Sequence, residues 1–254
     1  MATKPKASTE VATANPFSMD VPAYINPNSN RGSEEVTSKD LVLPRLEIVQ
    51  SQGAAKDAGI PEGNLYNSAT MEDLGDVVYF VPVYFRAEYL IWKDQDEGGG
   101  FFGAYMSQAE AEHRMKEVVE GGEDPQFLEI VDTPVHYGLL VDPDRKRPTQ
   151  QIVISMAKSK AKVSRKWNAT IQIVGGDRFS RVYKITTFVD QNKQNKKFGN
   201  FIVQPAGFCP EDIFREAEKT YAAFKHDGVR AAHDTVVGQG AEEGAGDGMD
   251  RGGV

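Results

Sequence analysis

Lys158, Lys160 and Lys162 recur at every second residue, and Arg165-Lys166-Trp167 follows at once. In an extended chain this alternation sends three ammonium groups to one face, where they can track a phosphate backbone, with the Trp167 indole as a stacking surface for a base. More cations flank the run: Arg145-Lys146-Arg147 before it, and Lys193, Lys196 and Lys197 after it. From Asp142 to Asn200 the chain holds fourteen Lys and Arg against four Asp and Glu, a local charge of +10 in a protein whose formal net charge is -8. All other residues together therefore carry -18. Concentration of one sign in this way is the footprint of a polyanion site. The competing reading is a solvated strand edge whose lysines block edge pairing. The two flanking clusters tilt the balance towards phosphate contact.

A second constellation is aromatic. Tyr79, Tyr84, Tyr89, Trp92, Phe101, Phe102 and Tyr105 lie close together, with Arg86 and Lys93 among them. A sheet face that mixes rings and cations stacks bases and binds phosphates without reading sequence. Most strand aromatics fill cores, so the candidates kept from this group are Arg86, Tyr89, Trp92 and Lys93.

Other chemistries find little support. His113, His136, His226 and His233 show no metal-ligand spacing, and the single cysteine, Cys209, lies in no nucleophile motif. Gly98-Gly99-Gly100 lacks the Gly-Lys-Ser/Thr of a phosphate-binding loop and reads as a hairpin tip. No metal, no cofactor and no enzymatic activity is expected. One cysteine excludes an intramolecular disulfide and fits a reducing compartment. The N-terminus has no apolar signal region and no run of eighteen apolar residues occurs, so a cytoplasmic protein without a membrane span is expected. The acidic total, with pI about 5.1, says less about partners than the distribution of charge does.

The elements that must position these residues follow from the pattern. Residues 1–40 are poor in apolar side chains and read as a disordered arm. Val77 to Phe85, β-branched or aromatic almost throughout, predicts a central strand, and Arg86 to Lys93 a second extended piece. Ser107 with Glu110 opens a surface helix ending before Gly121-Gly122. Strands are expected over Thr133–Val141, Gln151–Ala157, Arg181–Asp190 and Phe201–Gln204, and the basic stretch up to Val174 as a helical turn mixed with extended backbone. Ile213, Ala217, Tyr221 and Phe224 place a closing helix over residues 210–224. Residues 227–254 read as a flexible acidic tail. Glu242, Glu243, Asp247 and Asp250 there either aid solubility or compete with nucleic acid for the basic groove.

This layout resembles the single-stranded DNA-binding proteins of tailed bacteriophages, which carry an oligonucleotide-binding (OB) barrel. The runs LVLPRLEIVQ, GNLYNSAT and VVYFVPVYFRAEYLIWKDQDEGGGFFGAY are similar to phage proteins found among replication and recombination genes. The resemblance implies binding of single strands during replication, recombination or repair, in the host cytoplasm, with replication or recombination proteins as partners of the tail. Combined with the residue pattern, the expectation is a mainly β domain over residues 41–226, an OB-like five-stranded barrel with added helices. In it Lys158, Lys160, Lys162, Arg165 and Lys166 neutralise phosphates of single-stranded DNA. Lys193, Lys196 and Lys197 fold a loop over the strand, and Tyr89, Trp92 and Trp167 stack bases. The rival expectation is a phage structural or host-interaction protein whose basic segment contacts another protein. Oligomeric state and the choice between DNA and RNA stay open, since stacking and phosphate contacts serve both.

Overall fold

In the computed structural model, residues 24, 26, 29, 31–35, 43–94, 97–144, 149–191 and 197–227 are described, with side chains to residue 225. Residues 1–37 and 38–254 form two units. The expected arm is described at only a few positions; the expected acidic tail, Arg145, Lys146, Arg147, Lys193 and Lys196 lie outside the described residues.

The second unit is built on one long strand. Val77 to Lys93 form β4, continuous where the sequence suggested two pieces. Pro82, which lacks an N–H to donate, sits at a shift of register between Pro82 and Tyr84, as a proline inside a sheet requires. β4 pairs along its length with β6 (Leu128–Val141). Its other edge is shared: Val77 to Phe80 pair with β8 (Arg181–Gln191), and Tyr89 to Lys93 pair with β5 (Gly100–Tyr105). With β7 (Gln150–Ser155) and β9 (Lys197–Phe208) the order is β7-β6-β4-β8-β9, antiparallel throughout. A smaller sheet, β1 (Leu46–Ile48), β2 (Leu65–Asn67) and β3 (Glu72–Gly75), lies beside β7, and Arg45, just before β1, forms a β-bridge with Val153 of β7. The helices are α1 (Ala54–Asp57), α2 (Gln108–Glu120), α3 (Ala161–Val174) and α4 (Glu211–Asp227).

The protein is mainly β with several helices, but the expected barrel is not there. The sheets stay open: among the described residues no ladder joins β9 to β7. The reason lies in the two faces of the large sheet, each of which has its own cover. Val81, Val83, Val135, Tyr137, Leu139 and Val153 pack under Ile213, Ala217 and Phe224 of α4. On the opposite face Phe80, Ile152, Ile154, Tyr183 and Ile185 pack under Trp167 of α3 and under Leu46, Ile48 and Leu65 of the small sheet. A sheet covered on both faces buries its apolar side chains without curling round an interior.

Both predicted helices, the surface one and the closing one, form. The Ser107 hydroxyl caps α2 by accepting from the Glu110 N–H at 3.2 Å, and the Glu110 carboxylate accepts from the Met106 N–H at 3.1 Å. In α4, Ile213, Ala217 and Phe224 are buried as their spacing demands.

Candidate nucleic-acid interface

The lysine run is not extended. Lys158 to Lys160 form a single 3-10 turn, with Lys158 at φ 51°, and Ala161 begins α3. The period that decides is that of the buried set: Ser164 and Trp167 are buried, and Val163 and Ile171 pack half-buried on the same core, a helical stripe facing the sheet. Lys162, Arg165 and Lys166, at helical spacing, are left on the exposed side. From Lys158 to Val174 there are five cations and no Asp or Glu. Lys158 meets Glu129 of β6 at 3.0 Å. Among the described residues Lys162, Arg165 and Lys166 make no ion pair.

Trp167, expected as a stacking platform, is a core residue with 3 % of its surface exposed. Its ring stacks on His136 of β6, with centroids 4.3 Å apart and planes 15° from parallel, and meets Phe80 and Tyr183 edge-on. Under it lies a polar knot that fastens α3 to the sheet. Arg178, in the 3-10 turn Arg178–Ser180, donates through Nη2 to His136 Nδ1 at 2.8 Å and to Asn168 Oδ1 at 2.8 Å. Because a guanidinium only donates, Nδ1 must accept, so the imidazole is neutral and carries its proton on Nε2, which donates to Ser164 Oγ at 2.8 Å. Burial first, and the Arg178 charge second, hold His136 well below its ordinary pKa. Burial likewise brings Arg178 down to about 10.

The sign of the pH dependence follows. The folded pKa of His136 lies below the unfolded value of about 6.5, so its contribution is complete above about pH 6.5 and is lost as pH falls towards the folded value. In that window the unfolded chain takes up a proton that the folded chain refuses, at a slope of up to about 1.4 kcal/mol per pH unit. Urea midpoints should therefore drop on going from pH 7.5 to 5.5, with the His136 ring resonances still those of the neutral form at pH 6. A His136 resonance that titrates with a midpoint near 6.5 contradicts this network.

The aromatic candidates occupy the far half of β4. Trp92 pairs across the sheet with Phe101 of β5, ring centroids 4.8 Å apart, and on its other side with Glu129 of β6. Directly opposed residues of antiparallel strands share a face. Trp92 therefore neighbours the carboxylate that holds Lys158, and the structure brings Trp92 and the start of the basic segment together through Glu129. Tyr89 is half-buried between Tyr105 and Asp132, and Lys93 is bound to Glu123 at 2.7 Å. Arg86 is not a free cation. Its Nη2 lies 2.7 Å from Glu88 Oε1 and 2.7 Å from Tyr137 Oη, and the Tyr137 hydroxyl donates to the same Glu88 oxygen at 2.5 Å. Glu88 and Tyr137 are buried, so Arg86 serves the interior. Burial and the Glu88 charge push the Tyr137 hydroxyl well above its ordinary pKa.

Lys197 is exposed at the first position of β9, and α3 and the turn before it both lie against that strand. The exposed aromatics of the described sheet are ones the composition did not single out. Phe188 stands in β8, and Phe208, 74 % exposed, ends β9 with the guanidinium carbon of Arg181 4.4 Å from its ring centroid. The run Pro205-Ala206-Gly207-Phe208-Cys209-Pro210 carried the signal, a lone large ring among small residues and prolines with no apolar alternation around it. Among the described residues no group of three or more His, Cys, Asp or Glu could hold a metal ion, and no helix is long and apolar enough to cross a membrane.

No curated protein and no solved structure matches the chain. A family model does, described as Pam3 phage gp34-like protein and matching residues 12–230. That span takes in the long strand β4, the basic helix α3 and all of the sheet's cover, and the chain belongs to the Pam3 phage gp34-like family.

Proposed function

We propose that this phage protein binds single-stranded DNA with little sequence preference, in replication, recombination or repair of phage DNA. The observation that carries the reading is the outer face of α3, where Lys162, Arg165 and Lys166 stand exposed, without ion pairs among the described residues, in a segment that contains no acid. Unpaired cations on one ordered face attract a polyanion and release its counterions on contact. Lys158 and Lys160 extend the row at the helix start, and Trp92 with Phe101 supplies aromatic surface beside Lys158. Phosphate contact from α3 with stacking at its margin suits a strand whose bases are free to splay.

The test is a titration of labelled oligo-dT of graded length, and of duplex DNA, between 50 and 200 mM salt. A defined site size, preference for oligo-dT and steep loss of affinity with salt are expected. The combined variant Lys162→Ala, Arg165→Ala, Lys166→Ala should bind oligo-dT roughly tenfold or more weakly at low salt. It should also lose about two units of the log–log salt slope, since each single-strand phosphate contact contributes about 0.7. Its unfolding midpoint should match the parent, because the three side chains are exposed. Binding that is absent at low salt, or unchanged in the variant, overturns the reading and favours a protein partner for the basic helix.

A further inference from the structure

The ring of Phe208 is exposed at a cost, since burying an aromatic side chain is favourable and nothing in the described core uses it. Its position is nevertheless ordered by three features. Phe208 pairs directly across from Arg181, in the last rung of the β8–β9 ladder. Just before it the ladder shifts register, with Tyr183 opposite Pro205 and Val182 opposite Gly207, so that Ala206 is an extra residue in β9. Such a bulge re-aims the side chains that follow. Gly207 within it has φ +155°, a conformation that favours glycine.

The bulge decides which face receives the ring. Arg181 lies two residues from Tyr183, so both project to one face of the sheet, and Tyr183 is 5.4 Å from Trp167 of α3, centroid to centroid. Phe208, opposite Arg181, is therefore delivered to the face that α3 covers. Without the extra residue the alternation of β9 would send it to the α4 side. Arg181 covers one side of the ring and makes no ion pair among the described residues; its Nε has no hydrogen-bond partner. A flat ring backed by an uncompensated guanidinium, with most of its surface open, matches one unit of a single strand: the ring stacks a base and the cation faces its phosphate.

We propose that Phe208 and Arg181 form a nucleobase-stacking platform at the margin of the α3 surface, taking an unpaired base of a strand whose phosphates lie on the helix. This inference rests on the single-strand reading given above. It moves the stacking role from Trp167, which the core consumes, to a ring at the end of β9.

The test uses the full chain with two labelled probes of equal length, oligo-dT and an abasic oligodeoxynucleotide that keeps the phosphates and lacks the bases. Phe208→Ala should weaken oligo-dT binding roughly 5- to 150-fold, the range for loss of one stacked base, and leave the abasic probe unaffected. Phe208→Trp should hold the parent affinity and add a fluorescence signal that oligo-dT quenches beyond the change seen in the parent protein. Thermal midpoints of both variants should stay at the parental value. Unchanged oligo-dT affinity in Phe208→Ala, while the α3 triple variant weakens it, overturns the platform and leaves the single-strand reading standing. Equal loss for both probes also overturns it, assigning the ring a structural part. A changed sedimentation coefficient with unchanged oligo-dT affinity overturns it in favour of a contact between protein chains. Failure of the parent protein to bind oligo-dT overturns both readings together.

Discussion

Glu88→Ala is expected to lower the free energy of unfolding by about 3–5 kcal/mol, the cost of removing one partner from a buried ion pair. Glu88 Oε1 accepts from Arg86 and from the Tyr137 hydroxyl, and both donors lie on the sheet face closed by α4. Without the carboxylate a largely buried guanidinium loses its charge partner, and a buried hydroxyl loses its acceptor. A triple change, Arg86→Met with Glu88→Leu and Tyr137→Phe, should cost less than Glu88→Ala alone, because it removes the stranded polar groups with their partner. Urea unfolding of the two variants side by side checks this. A Glu88→Ala midpoint equal to the parent would mean that Arg86 reaches water.

Gly138→Ala should cost about 3 kcal/mol, near the upper end for overpacking a core. A Cβ built at residue 138 of β6 would overlap the Val81 carbonyl oxygen and the Phe80 ring. The ring could rotate only into a packed neighbourhood, since Phe80 meets Trp167 edge-on and is fully buried. The carbonyl belongs to the central strand and cannot yield without disturbing the ladder to β6. The double variant Gly138→Ala, Phe80→Leu should recover the part of the loss due to the ring and keep the part due to the backbone. Full recovery would show that Val81 moves aside easily, contrary to the packing described.

How much of this could be read from residues alone depends on where the deciding partner lies. α4 was legible because Ile213, Ala217 and Phe224 set their own period within one helix, and α2 because the Ser107 cap is local. β4 was legible from its β-branched and aromatic composition, although its continuity past Phe85 was not. α3 was misread because lysines at alternate positions draw the eye, while solvated lysines set no period at all; Val163, Ser164, Trp167 and Ile171 do. Trp167 beside Arg165-Lys166 looks like a surface ring, and partners distant in the chain, Phe80, Tyr183 and His136, the last thirty-one residues earlier, make it a core one. Arg86 carried its answer nearby, since Glu88 two residues on shares its strand face. The barrel failed as a reading because strand order is a long-range property, and nothing in any single strand announces that both sheet faces will be covered.

The shared edge of β4 also sets an order of events as the chain leaves the ribosome. Its pairing with β6 and β5, and the α2 connection between them, are complete within residues 77–141. The other claimant to the same edge, β8, begins only at Arg181, and the helix that seals one face begins at Glu211. Until then Val77 to Phe80 present an unpaired apolar edge, the kind that pairs with other chains when it is left waiting. Contacts so distant in sequence also slow folding of the finished chain. A nascent protein stalled before residue 181 is thus the species most in need of a chaperone, and synthesis of the last quarter of the domain is what retires that need.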